Sequence, residues 1–314
     1  MPSALRLRPF SGNLIVQVVI LSARTGWHTD ELCRAFAARG HVAIVLRYES
    51  LVARLGGPRS AAGLTNEQAA LFHADAVLAR IIPSGSLEQI IFRVDALHWI
   101  EDHGVLVVNS PRAIERSVDK FYTDALLHEA GLDTPETVVC ETAADALAAV
   151  GRFGDAVIKP IFGSMGSGLV RVSDPDVAFR IVRALDQVRT VFYVQRYVEH
   201  DGRDIRVFVV GGRVLGAIER RALPGDWRTN VARGADAVPF ELPAAWAQMA
   251  VRAAEAIGAD YAGVDLLPSP DGRVFVLEVN GIPGWEGLQR ATGLDVADAI
   301  AAHVESRVRA AAVR

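Results

Sequence analysis

The first hundred residues alternate short apolar runs with helical stretches, and no other feature constrains the fold as tightly. "LIVQVVILS" is followed by a helical stretch from Asp30 to about Ala38, a stop at Gly40 and a second apolar run, "HVAIVLR". "ADAVLARII" and "GVLVVNS" read as two more strands, with "SLEQIIFRVDALHWIEDHG" as a helix between them. Strands separated by helices are joined by crossovers, which makes neighbours parallel and lays helices over the sheet. The expectation is a parallel α/β unit over residues 1–110, with residues 1–12 a loose leader.

The texture changes after "NSPRAIERS". Ser117 is expected to cap a helix running to about Ala130, stopped by Gly131 with Pro135 beyond. A helix from about Thr142, the strand "DAVIKPI", a glycine-rich link and the strand "LVRVS" follow. Asp174-Pro175 marks a helix start, with Asp as the cap and Pro in the first position. From "TVFYVQRYV" onward the pattern is mainly hairpins: "DIRVFVV-GG-RVLGAIERR" turns through Gly-Gly, and "AGVDLL…VFVLEVN" turns through "PSPDG". The helix "PAAWAQMAVRAAEAIG" lies between these hairpins, and an Ala-rich helix closes the chain. These stretches read as two α+β units, 111–192 and 193–314.

At 314 residues the chain is long enough for two or three compact units. A net charge of −4 gives no general reason to bind nucleic acid. "LIVQVVILSA" is too short to span a bilayer, so no membrane partner is expected. Cys33 and Cys140 show neither CxxC spacing nor a nearby His pair, which argues against a disulfide framework or zinc site and suits a reducing cytoplasm.

Several charged or glycine-rich features carry chemistry. "GSMGSG", Gly163 to Gly168, is neither the dinucleotide fingerprint nor a Walker loop, since the order is GxxGxG and a strand follows. Alone it is a hairpin loop; with Lys159 four residues earlier on an apolar strand, its N–H groups suit phosphate. Lys120, near a helix start, reads alone as a solvated lysine. A two-residue Gly211-Gly212 turn pairs Val210 with Arg213 and sets Asp204 opposite Glu219. Asp204, Arg206, Glu219 and Arg221 then share a face, either as surface ion pairs or as the floor of a polar site. "GDWRTNVARGA" carries Arg228, Asn230 and Arg233, whose guanidinium forks suit anions. Last, "VFVLEVN" ends an apolar strand with Glu278 and Asn280 on one face. The expected turn sets Asp265 opposite Val276 on that same face, and three oxygen donors suit Mg²⁺ as well as a wet strand end.

In this order the parts resemble the ATP-grasp superfamily. "AIERRA…GDWRTNVARGA" and "GVDLL…EVNGIPGWEG" are similar to the RimK-like amino-acid ligases, which add glutamate to a carboxylate acceptor. The resemblance covers roughly residues 105–300. It implies a preceding α/β domain over 1–110, a small ATP-grasp subdomain with the Gly-rich loop over 111–192, and a large subdomain with the metal site over 193–314. It implies further that Lys120, Lys159, Gly163, Ser164, Gly166 and Ser167 meet ATP phosphates, that main-chain groups of Arg196 and Tyr197 bind adenine, and that Asp204 contacts the nucleotide. Arg228, Asn230 and Arg221 are the implied catalytic residues. Asp265, Glu278 and Asn280 would hold Mg²⁺ or Mn²⁺, as two ions with Glu278 bridging. The hinge position of Arg196 is commonly acidic in the family.

The implied activity is an ADP-forming ligation through an acyl phosphate, with glutamate and a small-molecule carboxylate acceptor as partners. "ARIIPSGSLEQIIFRVDALHWIEDHGVLVVNSPRAIERSVDK" resembles the branch that glutamylates tetrahydromethanopterin-type cofactors. The alternatives are a glutamate ligase acting on a protein C-terminus or carrier protein, and an ATP-binding regulatory protein without catalysis. A homo-oligomer is allowed by everything above.

Overall fold

The computed structural model describes residues 15–56, 63–65, 71–163, 168–223, 226–228 and 236–313. Strands β1 (Gln17–Ser22) and β2 (Val42–Arg47) flank helix α1 (Trp27–Ala38), and a small antiparallel pair, β3 (Val52–Arg54) and β4 (Gly63–Thr65), follows. Then come β5 (Ala76–Ala79), α2 (Leu87–Asp102) and β6 (Leu106–Val108). The main strands form a parallel sheet ordered β2-β1-β5-β6, as the alternation predicts. Alternate residues of β1 enter different cores: Val18 and Ile20 join one with Phe36 of α1, while Val19 and Leu21 join another with Leu97 of α2. Burial on both faces is why this strand is apolar throughout.

The helix expected from Ser117 to Ala130 is two helices. Ser110 accepts from the Ala113 N–H and caps α3 (Pro111–Val118), with Pro111 in its first turn. Asp119 then adopts an extended backbone and its side chain accepts from the Tyr122 N–H, starting α4 (Lys120–Glu129). Lys120 thus stands at the first position of a new helix.

The second sheet holds β7 (Thr137–Cys140), β8 (Ala156–Lys159), β9 (Val170–Val172) and β10 (Phe192–Arg196), antiparallel in the order β7-β10-β8-β9. Helices α5 (Ala143–Phe153) and α6 (Pro175–Gln187), capped by Thr142 and Asp174, cover the face bearing Ile158, Phe192 and Val194. Lys159, Tyr193 and Gln195 project from the opposite face.

The third sheet is antiparallel, ordered β13-β12-β11-β14-β15 from β11 (Arg203–Val210), β12 (Arg213–Arg221), β13 (Asp236–Pro239), β14 (Tyr261–Pro268) and β15 (Val274–Asn280). Helix α7 (Ala244–Ile257) packs on its face of Ile205, Val207 and Val264. On the other face Phe208 and Tyr261 join Trp285 and β1 in one core, completed by α8 (Glu286–Thr292) and α9 (Val296–Ala312). Asn109, fully buried at the end of β6, ties the first sheet to the third. Its amide donates to Tyr261 O and Gly281 O and accepts from the N–H groups of Asp260 and Tyr261. Among the described residues no helix is long and apolar enough to cross a membrane.

Both hairpin registers differ from expectation. In β11–β12 the turn pairs Val210 with Arg213, but Leu215 is an extra residue, so Phe208 meets Gly216 and Asp204 meets Arg220, not Glu219. The shared face is therefore Asp204, Arg206 and Arg220, while Glu219 and Arg221 lie on the other. In β14–β15 the turn register is one residue away from the expected one and Leu277 is an extra residue. Together these set Asp265 opposite Glu278 instead of Val276. The two offsets cancel with respect to the face, which still carries Asp265, Glu278 and Asn280 together.

Candidate active site

The charged face of the third sheet is the base of the site. Asp265, only 2% exposed, receives a two-pronged grip from Arg206 at 2.7 Å and a further contact from Arg220 at 2.9 Å. Arg220 also grips Asp204 at 2.7 and 2.6 Å, making a buried chain Asp204–Arg220–Asp265–Arg206. Burial alone would raise the Asp265 pKa, but the two guanidinium groups outweigh it and hold the carboxylate below its usual range. Glu278 lies directly across from Asp265 and is half-buried, and its side chain has no hydrogen-bond partner among the described residues. Asn280 accepts from the Ile282 N–H through Oδ1 at 2.9 Å.

Two lysines lie near Glu278. Lys120 Nζ donates to Ile161 O at 3.2 Å and to Gly163 O at 2.8 Å, so the start of α4 anchors the chain entering the glycine-rich loop. Its pKa is lowered by burial, against the charges of Glu278, Asp124 and Asp119. Lys159, at the end of β8, donates to Gln195 Oε1 at 2.6 Å and sits 5.7 Å from the Tyr193 ring centroid. Burial brings its pKa down to about 8, while Asp124 and Glu278 pull it up and Lys120 pushes it further down. Within the glycine-rich loop, Gly163 is the Lys120 partner; Ser164, Gly166 and Ser167 lie outside the described residues.

Behind Lys159 stands a polar group that the sequence reading missed. Gln195 Nε2 donates to Thr137 Oγ1 at 2.9 Å and Tyr193 Oη at 3.1 Å, and Tyr193 Oη donates to Asp124. Burial raises the Asp124 pKa, opposed by its hydrogen bonds and by Lys159. The signal available was an acid four residues after Lys120 on the same helix face.

A cleft of about 1140 Å³ opens beside this group, lined by Asp124, Thr137, Arg196, Tyr197, Val198 and Phe275 among others. The N–H groups of Arg196 and Tyr197 are occupied, by Glu136 O at 2.8 Å and Asp155 O at 3.0 Å. The neighbouring Val198 N–H has no partner among the described residues. The unusual cation at the hinge is compensated: Arg196 pairs with Glu136 at 2.9 Å and turns its guanidinium over Phe153. Asp204 is buried against Arg220 at the edge of the site, both carboxylate oxygens engaged.

Of the candidate catalytic residues, Arg228 is half-buried and held by Asp226 at 2.9 Å. Arg221 is exposed and pairs with Glu219 at 2.5 Å on the face away from Asp265. Asn230 and Arg233 lie outside the described residues. Among the described residues no three His, Cys, Asp or Glu side chains group as metal ligands. The oxygen set of Glu278, Asn280 and Asp265 nonetheless fits a magnesium-like ion that completes its octahedron with phosphate and water. Glu278 is the donor with both oxygens available, whereas the Asp265 oxygens already accept three guanidinium contacts.

A model of the RimK-like ATP-grasp domain matches residues 117–304. The tetrahydromethanopterin:alpha-L-glutamate ligase of Methanosarcina acetivorans is 36% identical over 277 residues, spanning 77% of this chain and 86% of the relative. The probable alpha-L-glutamate ligase of Trichodesmium erythraeum is 33% identical over 297 residues, 93% of this chain and 97% of the relative. Among solved structures, the ATP-grasp ligase PsnB complexed with a minimal precursor, Mg and ADP superposes with a TM-score of 0.73. It is 20% identical and covers 93% of this chain and 97% of its own, so it shows the shared fold. The chain belongs to the RimK-like ATP-grasp family, and it is an ATP-dependent ligase.

Proposed function

We propose that the protein joins L-glutamate to a small-molecule carboxylate through an acyl phosphate, the acceptor being of the pterin-cofactor type. The observation that carries this reading is the meeting of Lys120 and Lys159 with Glu278, whose charge acts on both ammonium groups. Two cations and an available carboxylate brought near one another suit a triphosphate with its divalent ion. The names of the relatives supply glutamate and the pterin-type acceptor.

In the first step an acceptor carboxylate oxygen attacks the γ-phosphorus, and the bond to the leaving ADP oxygen breaks. In the second, the glutamate amine attacks the acyl carbon, phosphate leaves with the C–O electron pair, and the nitrogen loses a proton. Lys120 and Lys159 bind and orient the phosphates, and the hinge at Arg196–Val198 takes the adenine. Arg228 and Asn230 are assigned to the activated acyl group, with Arg221 at the rim. Glu278, Asn280 and Asp265 would hold Mg²⁺, which when bound neutralises phosphate charge during transfer. The division into units 1–110, 111–192 and 193–314 is part of the same reading. So is a cytoplasmic location, in keeping with ATP as substrate and with Cys33 and Cys140 both free.

The test is ADP release by purified protein with ATP, magnesium and glutamate over a panel of pterin-type, amino-acid and C-terminal peptide carboxylates. Release that depends on one acceptor class supports the ligase and names its substrate. Release independent of any acceptor, or none with any, would falsify it.

A further inference from the structure

The polar group behind Lys159 forms a chain with a fixed direction. At one end Asp124 is a carboxylate acceptor, so the Tyr193 hydroxyl spends its single proton there and accepts from Gln195 Nε2 with its lone pair. At the other end the Thr137 hydroxyl has a single proton, within reach of Pro135 O at 2.8 Å and of Asp124, and whichever acceptor takes it the oxygen accepts from Gln195 Nε2. Both N–H bonds of the Gln195 amide are thus assigned, which leaves Oε1 facing the Lys159 ammonium. Gln195 is 3% exposed and Tyr193 is 2% exposed, so water does not compete for these bonds.

We propose that Asp124 is a positioning residue for nucleotide binding: through Tyr193 it fixes which end of the Gln195 amide meets Lys159. Lys159 then gives one N–H to Gln195 and keeps the other two for phosphate. With the amide reversed, an NH₂ group would face the ammonium and push it out of place. This inference rests on the reading that Lys159 binds the nucleotide.

The experiment is a double-mutant cycle on ATP affinity, measured by calorimetric titration, with thermal midpoints recorded for each protein. Asp124→Asn offers an NH₂ to Tyr193, frees the tyrosine proton for Gln195 Oε1 and allows the amide to reverse. The expected result is about tenfold weaker ATP binding, the scale of one hydrogen bond to a charged group. Gln195→Glu has no NH₂ end to present, so Asp124→Asn added to it should change affinity by less than about twofold. An equal loss in both backgrounds overturns the proposal, because Asp124 then acts by its field or by packing. No loss in the Gln195 background overturns it as well. Should Asp124→Asn fail to fold, Tyr193→Phe cuts the same chain, and unchanged ATP affinity there overturns it. Lys159→Ala separates the two readings. If it binds ATP normally, the nucleotide role of Lys159 and the proposal fall together. If it weakens ATP binding while Asp124→Asn does not, only the proposal falls.

Discussion

Asp265 and Glu278 face each other across neighbouring strands, yet among the described residues only Asp265 is gripped by arginines. Two carboxylates in one cross-strand pair repel unless something compensates them. Here Arg206 and Arg220 neutralise the buried member from behind, leaving the half-buried Glu278 to face Lys120 and Lys159 across the site. The two carboxylates are therefore held differently: Asp265 is locked into the sheet floor, while the side-chain oxygens of Glu278 have no hydrogen-bond partner among the described residues.

Glu278→Ala should cut turnover by at least about 100-fold, the scale of losing a principal electrostatic contact at a reacting phosphate. Its thermal midpoint should stay close to that of the parent, since no hydrogen bond is broken. ADP release and thermal unfolding on the same preparation check both statements. Full activity would remove Glu278 from the site.

Asp265→Ala should behave differently, because it leaves Arg206 and Arg220 without their shared partner. Breaking a buried ion network in this way costs about 3–5 kcal/mol, whereas exposed Arg221→Ala should stay within about 0.5 kcal/mol. Urea denaturation of the three proteins distinguishes these outcomes; equal stabilities would contradict the buried network.

Lys159 should give two pH dependences of opposite sign. Its folded-state pKa is about 8, below the ordinary lysine value of 10.5. Between those values the unfolded chain binds more protons, so the Lys159 contribution to stability of the nucleotide-free protein rises with pH across that window. ATP affinity falls over the same range, as the ammonium that meets phosphate loses its charge. Melting and titration series from about pH 7 to pH 10 should show both trends, and Lys159→Met should flatten both.

His28 sets an acid limit on the fold. It accepts from the Trp285 N–H at 3.2 Å through Nε2 and meets the Trp285 ring edge-on at 4.6 Å. Burial, aided by the nearby Arg80 charge, lowers its pKa from 6.5 to about 4. The unfolded chain therefore takes up the proton first, and stability falls as pH drops from 6.5 towards 4. His28→Gln keeps an acceptor for Trp285 without titrating, so its stability should decline less over that interval. An identical decline would place the acid sensitivity elsewhere.

How legible each part was follows from the range of the forces involved. The first sheet was readable because β1, β2, β5 and β6 are mainly apolar runs, and in the central β1 and β5 burial on both faces writes itself into composition. The cap at Asp119 was not, since Ser117 two residues earlier carries an equally good capping side chain. The shared face of Asp265, Glu278 and Asn280 was readable because polar residues interrupt strands that are otherwise apolar. The partner of Asp124 was out of reach: Tyr193 lies 69 positions away, and an acid on a helix normally signals only a wet surface. Asn109 was hidden similarly, its bonds to Tyr261 and Gly281 spanning 152 and 172 positions. The hairpin registers were missed because the extra residues are leucines, which carry no mark of a bulge as glycine often does.

Leu215 gives the first hairpin an odd count, and the consequence reaches beyond its own turn. A strand's two sides are assigned by counting, and the bulge at this leucine is what brings Arg220, and not Glu219, opposite Asp204. One residue inserted into β12 between Gly216 and Glu219, with the bulge kept, would hand every later residue to the opposite side. Glu219 would arrive opposite Asp204, setting acid against acid, and Arg220 would be turned into the apolar layer beneath α7. No charge need be mutated for the ion chain to be lost. The residue count of β12 is therefore as much a determinant of this site as the identity of its arginines, and an insertion there differs in kind from one in a surface loop.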